Sequence, residues 1–279
     1  MGTVTVNGIS LTYSVQGDGE PVLLLPPAAS ASTVWTAHQV PALVRAGFRV
    51  ITVDNRGTPP SSVPDGPYRL ADLVADTAGL VRRLGIAPCR IVGASLGAMI
   101  AQELAIVRPD LVHSMALMAT RGRTDFFRRA VTESAAEAVR RHREIPARYA
   151  ALNTMIRLFS PDTLLRDRDA ADWLELFIAF AQQGEGAAAQ YEATLMPDRL
   201  AALGAIDRPA LVIAFADDVL TPPSLGREVA DAIPDSRYVE LDGCGHFGFL
   251  ERPDEVNRVL VDFLGSPAVT GDPVRAARA

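Results

Sequence analysis

The sequence predicts an α/β protein: a mostly parallel central sheet with helices on both faces and a helical cap inserted between two strands. Short apolar segments alternate with helical patterns before residue 121 and again after residue 206, which is typical of a parallel sheet covered on both sides. From about 122 to 205 only helical patterns remain. A chain of 279 residues, 48% hydrophobic and 22% charged, is long and apolar enough to bury such a core.

The first elements are a hairpin and two buried strands. Strands are predicted over 3–6 and 9–15 because both flank the turn residues Asn7-Gly8. Apolar runs then predict strands at 22–25 and 49–53. The hairpin is therefore expected at the start of the sheet.

Alternation of helices and strands continues up to the cap. Apolar residues at helical spacing predict a helix over 70–84, namely Leu70, Leu73, Val74, Val81 and Leu84. A strand at 90–92, a helix at 96–107 and a strand at 111–118 follow.

The alternation resumes after the cap. Strands are predicted at 210–215 and 236–241, and helices at 224–232 and 253–264. We therefore expect a core domain formed by 1–121 and 206–264, a helical cap at 122–205 and a disordered tail at 265–279.

Composition excludes several classes of function. All 27 basic residues are arginine, so a Schiff-base lysine and a Walker A lysine are both absent. The net charge of −6 argues against nucleic-acid binding, and two cysteines cannot form a four-cysteine zinc site. We expect no metal and no cofactor. Without a signal-peptide pattern or an apolar run of membrane-spanning length, we expect a cytoplasmic protein without membrane contact.

A nucleophile motif lies between the predicted strand 90–92 and the helix 96–107. Gly93-Ala94-Ser95-Leu96-Gly97 matches G-x-S-x-G, in which a sharp strand-to-helix turn exposes the serine above the sheet. The turn leaves little room two residues away on either side, where both positions are glycine. Ser95 is therefore the candidate nucleophile.

A serine nucleophile needs a base and an acid. Of the four histidines, only His246 lies in a flexible glycine-rich loop after a late strand, where it can reach the sheet edge of Ser95. The acid is expected after strand 210–215, where Asp217 and Asp218 are adjacent. The stretch 119–121, after an earlier strand, offers no acid.

These motifs resemble those of the α/β-hydrolase fold superfamily, in particular the capped branch with chloroperoxidase-like, lactonase and methylesterase members. The order Ser95, Asp218, His246 is the family order. The family pattern Asp-x-x-x-Pro fits Asp218 with Pro222 and is offset by one for Asp217, which favours Asp218. The resemblance covers residues 3–264 outside the cap.

The resemblance also implies an oxyanion hole, in which this sequence departs from the family. One donor is the N–H of Leu96, directly after the nucleophile. The second would be the N–H of Ala28, but Pro26-Pro27 stands where relatives carry His-Gly. Proline has no N–H and a fixed φ, so the two rigid prolines before Ala28 set the direction of its N–H. Loss of one donor costs about 10²–10³ in rate.

Substrate contacts are expected from the cap and from loops near the triad. Trp173, Phe177 and Phe180 follow one another at i, i+4 and i+7 on one helix face. With Ala29 and Phe247, they are the candidate lining of an apolar pocket. In the loop after strand 49–53, Asp54 and Arg56 are interpreted as structural residues that tie strand ends together.

The sequence thus predicts a cofactor-independent serine hydrolase that cleaves a carboxylic ester or lactone of a small to medium, largely hydrophobic substrate. Two alternatives stay open: a lyase or cyclase of natural-product metabolism, and a protein that binds a small ligand without catalysis. Perhydrolysis is allowed as a side activity of the same triad. Homo-oligomerisation stays open as well.

Overall fold

The computed structural model describes residues 1–266; the predicted tail lies outside these residues, apart from its first two positions. The strands are β1 (Gly2–Val6), β2 (Ile9–Gln16), β3 (Pro21–Leu25), β4 (Arg49–Val53), β5 (Cys89–Ala94), β6 (Val112–Met118), β7 (Ala210–Phe215) and β8 (Ser236–Leu241). The predicted strands are all present, with ends that differ by at most two residues.

Twelve α-helices accompany the strands in the described part of the chain. They are α1 (Gln39–Arg45), α2 (Leu70–Arg83), α3 (Leu96–Val107), α4 (Phe126–Arg140), α5 (Ala147–Leu158), α6 (Pro161–Leu164), α7 (Asp167–Phe180), α8 (Glu185–Ala193), α9 (Leu200–Leu203), α10 (Pro223–Ala232), α11 (Gly248–Glu251) and α12 (Pro253–Leu264). The short helix α11 was not predicted from the sequence.

All eight strands form one sheet in the order β1-β2-β4-β3-β5-β6-β7-β8. The β1–β2 and β2–β4 pairs are antiparallel, and every later pair is parallel. This confirms the predicted mostly parallel α/β architecture. The carboxyl ends of β3 to β8 share one edge of the sheet, where loops that bind ligands are expected.

Alternate strand residues form two hydrophobic clusters, one on each face of the sheet. Leu23 and Leu25 pack on the face covered by α2, α3 and α10. Val22 and Leu24 pack on the opposite face with residues of α1 and α12. Helices on both faces explain why the central strands are continuous apolar runs rather than alternating ones.

Between β6 and β7 the described chain contains helices only, α4 to α9, within the range predicted for the cap. Four residues of this segment are buried in the second hydrophobic cluster, namely Ala151, Met155, Phe159 and Leu174. The division into core and cap stays a prediction. No helix in the described part of the chain is long and apolar enough to cross a bilayer.

Candidate active site

The G-x-S-x-G segment forms a sharp turn, with Ser95 alone between β5 and α3. Ser95 has φ 52° and ψ −114°, a conformation that costs energy for a residue with a side chain. A Cβ on Gly93 would lie 2.4 Å from the Gly97 carbonyl group, and one on Gly97 would lie 2.1 Å from the Leu25 oxygen. Both glycines are therefore required by close backbone contacts, and the turn places half-buried Ser95 at the carboxyl edge of the sheet.

His246 and Asp218 form a buried pair at the same edge, after β8 and β7. The His246 Nδ1 atom lies 2.7 Å from Asp218 Oδ2, and the two residues are 4% and 2% exposed. An ionised carboxylate can only accept, so Nδ1–H is the donor. This leaves Nε2 as the free ring nitrogen. Within the described residues the Ser95 hydroxyl makes no hydrogen bond, so its contact with His246 stays a prediction.

The two neighbouring aspartates have different environments. Asp218 Oδ1 accepts from the N–H groups of Leu220 and Thr221, each at 2.8 Å, and Oδ2 accepts from the Thr221 hydroxyl at 2.7 Å. Burial raises the pKa of Asp218, but the charge of His246 and these hydrogen bonds outweigh it, and the pKa lies below its ordinary value. Asp217 is exposed.

The His246 loop differs from the sequence expectation of a flexible loop. Cys244 is fully buried, and Gly245 is so close to the end of α5 that a Cβ would lie 2.8 Å from the Phe159 carbonyl carbon. Glu251 of α11 accepts from the Gly245 N–H at 2.6 Å and from the Ser160 N–H at 2.9 Å. One carboxylate thus joins the histidine loop to the start of α6, which holds the loop in place.

The proposed oxyanion donors lie on adjacent elements. Strands β3 and β5 are paired with Leu25 opposite Gly93. Ala28 comes three residues after Leu25, and Leu96 comes three residues after Gly93. Among residues 1–266 neither N–H donates to a protein acceptor. Ala29 has φ 53°, and its N–H donates to Gln190 Oε1 at 2.8 Å. The N–H groups of Ala28 and Leu96 therefore remain available to a ligand, whereas the N–H of Ala29 is already bound to Gln190.

Only part of the predicted aromatic lining comes together. Phe159 lies between Trp173, Phe177 and Phe247, with ring centroids at 4.9, 5.7 and 6.3 Å respectively. The Phe247 ring stacks on His246 at a centroid distance of 6.2 Å, so this cluster is continuous with the candidate base. Phe180 differs from the expectation: it is 72% exposed and lies outside the cluster. The C-terminal end of α7 directs it to solvent.

The interpretation of Asp54 and Arg56 needs one correction. Asp54 Oδ1 accepts from the Ser32 N–H at 2.6 Å, which joins the loops after β3 and β4 as expected. Arg56, however, pairs with Asp76 of α2: its Nε donates to Oδ2, and its Nη2 donates to Oδ1 at 2.8 Å. It therefore ties the loop to a helix rather than to another strand end.

Arg121, just past β6, was not singled out from the sequence. Its side chain is buried, Nη2 donates to the Thr194 carbonyl at 2.9 Å, and no carboxylate of residues 1–266 pairs with it. Burial lowers the pKa of Arg121 to about 10, while Asp125 and Asp218 favour its charge. It is a buried cation whose field reaches the candidate acid.

Cys244 lies two residues before His246, and Cys89 begins β5. Burial raises the pKa of Cys89 and of Cys244 to about 12, so both are thiols at neutral pH. In residues 1–266 no three His, Cys, Asp or Glu side chains are grouped as metal ligands. A cavity of about 660 Å³ lies between α2, α3 and residues 192–199, and no triad candidate lines it.

Comparison with known proteins places this architecture in a family. Residues 20–253 match the family model of the alpha/beta hydrolase fold. A Mycobacterium tuberculosis protein named "Putative non-heme bromoperoxidase BpoC" is 43% identical over 92% of this chain and 98% of its own. Its crystal structure has a TM-score of 0.89 and covers 94% of this chain and 97% of that one.

A second solved structure is the enol-lactonase from Burkholderia xenovorans LB400. It is 31% identical with a TM-score of 0.84, over 95% of this chain and all of that one. A protein of Azorhizobium caulinodans named "Putative carbamate hydrolase RutD" is 28% identical over 91% of this chain and 95% of its own. The chain therefore belongs to the alpha/beta hydrolase fold family of enzymes.

Proposed function

We propose that the protein is a serine hydrolase that cleaves a carboxylic ester or lactone of a small to medium, largely hydrophobic substrate. The observation that carries the proposal is the buried His246–Asp218 pair, 2.7 Å apart, at the sheet edge where the strained turn presents Ser95. Hydroxyl, imidazole and carboxylate are the three groups that acyl transfer needs.

The reaction follows from the roles of these three groups. His246 Nε2 removes the Ser95 proton as Oγ attacks the acyl carbonyl, and the same proton then passes to the leaving alkoxide. An acyl-enzyme remains, and an ester alcohol departs; in a lactone the new hydroxyl stays attached to the acyl group. His246 next removes a proton from water, which attacks the acyl-enzyme and releases the acid and Ser95. Asp218 holds the Nδ1–H tautomer and stabilises the imidazolium.

The negative charge of each tetrahedral intermediate needs donors that are already in place. The unpaired N–H groups of Ala28 and Leu96 are our candidates for that oxyanion hole. The Leu96 N–H is also the first of α3, where the helix dipole favours negative charge.

The substrate class rests on the cap. Trp173 and Phe177 form an apolar cluster with Phe247, the residue that follows the base, so an apolar acyl or alcohol group would have contacts there. The similarity to an enol-lactonase supports a lactone as one such substrate.

A panel of para-nitrophenyl esters, lactones, thioesters and amides tests the proposal, with Ser95→Ala as the matched variant. We expect ester or lactone turnover in the wild type, its loss in Ser95→Ala, and a fluorophosphonate adduct on Ser95 only. Labelled water should enter the acid product. Ring closure or elimination without solvent oxygen would instead indicate the lyase or cyclase, and stoichiometric binding without turnover would indicate a binding protein.

Perhydrolysis is a second candidate, favoured by the 43% identity to a protein named as a non-heme bromoperoxidase. Hydrogen peroxide would replace water in the attack on the acyl-enzyme, which yields a peracid and free Ser95. The test is peracid formation from an ester and hydrogen peroxide. Formation in Ser95→Ala at the wild-type rate would rule out this route.

A further inference from the structure

Gln190 of α8 contacts two loops of the chain. One is the loop of residues 26–29 after β3, called here the oxyanion loop, and the other is the loop after β4. Its side chain is fully buried. Gln190 Oε1 accepts from the Ala29 N–H at 2.8 Å, and Nε2 donates to the Arg56 carbonyl at 2.6 Å and to Thr58 Oγ1 at 2.8 Å. Each of these partners lies more than 130 residues away along the chain.

The orientation of this amide follows from its partners. A backbone N–H can only donate and a backbone carbonyl can only accept, so the amide oxygen must face Ala29 and the amide nitrogen must face Arg56. Both amide hydrogens and the oxygen are therefore used. A buried network with every group satisfied fixes one geometry.

Close backbone packing brings α8 to this position. A Cβ on Gly186, at the start of α8, would lie 2.4 Å from the Gly57 oxygen, and one on Gly57 would lie 2.8 Å from the Gly186 oxygen. The helix therefore lies directly against the loop after β4. Gln190, one turn further along, can then span from that loop to Ala29.

The oxyanion loop needs such an external contact. Pro26 and Pro27 have no N–H groups, so their part of the loop cannot be fixed by donors of its own. Ala29 has a left-handed φ of 53°, which is unfavourable for alanine and persists only where the surroundings impose it. The bond to Gln190 holds the peptide group that directly follows the residue whose N–H we assign to the oxyanion.

We infer that Gln190 is a positioning residue that directs the Ala28 N–H toward the oxyanion. The inference rests on the proposed function and adds the device by which a proline-led loop keeps a working donor. If this inference holds, catalysis also depends on the position of α8, a helix of the predicted cap, against the loop after β4.

The test uses Gln190→Met, which keeps the length of the side chain and removes all three hydrogen bonds. Gln183→Met is the matched control, since Gln183 is exposed and lies just before α8. Thr58→Val is a milder variant that removes one acceptor and keeps Gln190. Activity is expressed as kcat per Ser95 labelled by the fluorophosphonate, so that misfolded protein does not count.

We expect Gln190→Met to lower kcat by about 10–100-fold, less than complete loss of an oxyanion donor, with KM nearly unchanged. Thr58→Val should show a smaller decrease and Gln183→Met none. The inference is overturned if Gln190→Met has the same kcat per labelled site as the wild type. It is also overturned if the whole decrease in kcat/KM comes from a higher KM.

Hydrogen exchange of the segment 28–30 separates this inference from the proposed function. Exchange of the Ala29 amide should be slow in the wild type and much faster in Gln190→Met. Unchanged exchange overturns the inference whatever the activity. If the wild type hydrolyses nothing on the panel, the proposed function fails, whereas faster exchange would still support Gln190 as the residue that holds this loop.

Discussion

The Thr221 hydroxyl lies 2.7 Å from Asp218 Oδ2, the same oxygen that accepts from His246 Nδ1 at 2.7 Å. Thr221→Val removes this donor and keeps the shape of the side chain. Because a hydrogen bond to a charged group contributes about 1.5–3 kcal/mol, we expect the free energy of unfolding to fall by about that amount. Urea unfolding at pH 7 measures it. Thr36→Val, at an exposed threonine, is the control and should change little.

Asp217 and Asp218 form a matched pair for the role of the acid. Asp218→Asn should lower kcat by about 10⁴-fold, as expected when the carboxylate that holds a catalytic histidine becomes an amide. Asp217→Asn should leave kcat within about twofold, because an exposed surface substitution rarely alters a buried site. Steady-state hydrolysis of the best ester from the panel decides between them. Equal losses in the two variants would remove Asp218 from the proposed role.

The lowered pKa of Asp218 predicts an acid limb in stability. Burial opposes the shift, but His246 and Thr221 outweigh it, so the folded state holds the proton less tightly than the unfolded state. The ionised carboxylate therefore stabilises the fold in full above the unfolded pKa of about 3.9, and this stabilisation is lost as pH falls through the lower folded value. Urea unfolding from pH 3 to 6 should show wild type converging on Asp218→Asn below about pH 4. A constant difference over that range would contradict the prediction.

The fold could be predicted from the sequence because the central strands are buried on both faces and are therefore continuous apolar runs. The bounds predicted for 49–53, 96–107, 210–215, 236–241 and 253–264 are those of the structure. Ser95, Asp218 and His246 could be chosen because each lies within five residues of the end of a strand, and chain order with local spacing identifies such positions. The short helix α11 escaped prediction because four residues give no periodicity.

Residues that hold the site could not be found in the same way. Gln190 and Glu251 act through contacts with segments far away in sequence, and neither belongs to a local motif. The sequence signal nearest to Gln190 is Pro26-Pro27, which shows that two residues before Ala28 have no N–H group but does not say which residue holds Ala28 and Ala29 in place. The loop of His246 was expected to be flexible because its glycines suit turns; packing against Phe159 instead requires Gly245.

Phe177 and Phe180 of α7 test which aromatic side chains contact the substrate. Phe177 packs against Phe159 in the cluster next to His246, whereas Phe180 is 72% exposed. Phe177→Ala should raise KM for long-acyl esters by about tenfold, since loss of buried apolar contact costs about 1–3 kcal/mol in a pocket. Phe180→Ala should leave KM unchanged. The series runs from acetyl to octanoyl esters. An equal effect on acetyl and octanoyl esters would mean that Phe177 supports the packing around Phe159 without contacting the acyl chain.

Gly97 is the position where the fold depends most directly on a missing side chain. A Cβ there would lie 2.1 Å from the Leu25 oxygen and 2.9 Å from the Leu25 Cβ, at the carboxyl end of β3. This strand cannot move away, because it is a central strand of the sheet with a partner on each side. Gly97→Ala should therefore destabilise the protein by more than about 4 kcal/mol, in the range of severe core defects.

Gly204→Ala is the control, since its nearest contact would be an ordinary 3.4 Å and its φ of −62° suits alanine. Urea unfolding and soluble yield measure both variants. A Gly97→Ala protein as stable as the Gly204→Ala one would mean that the turn can open without cost, and the constraint that holds Ser95 in its strained conformation would be lost with it.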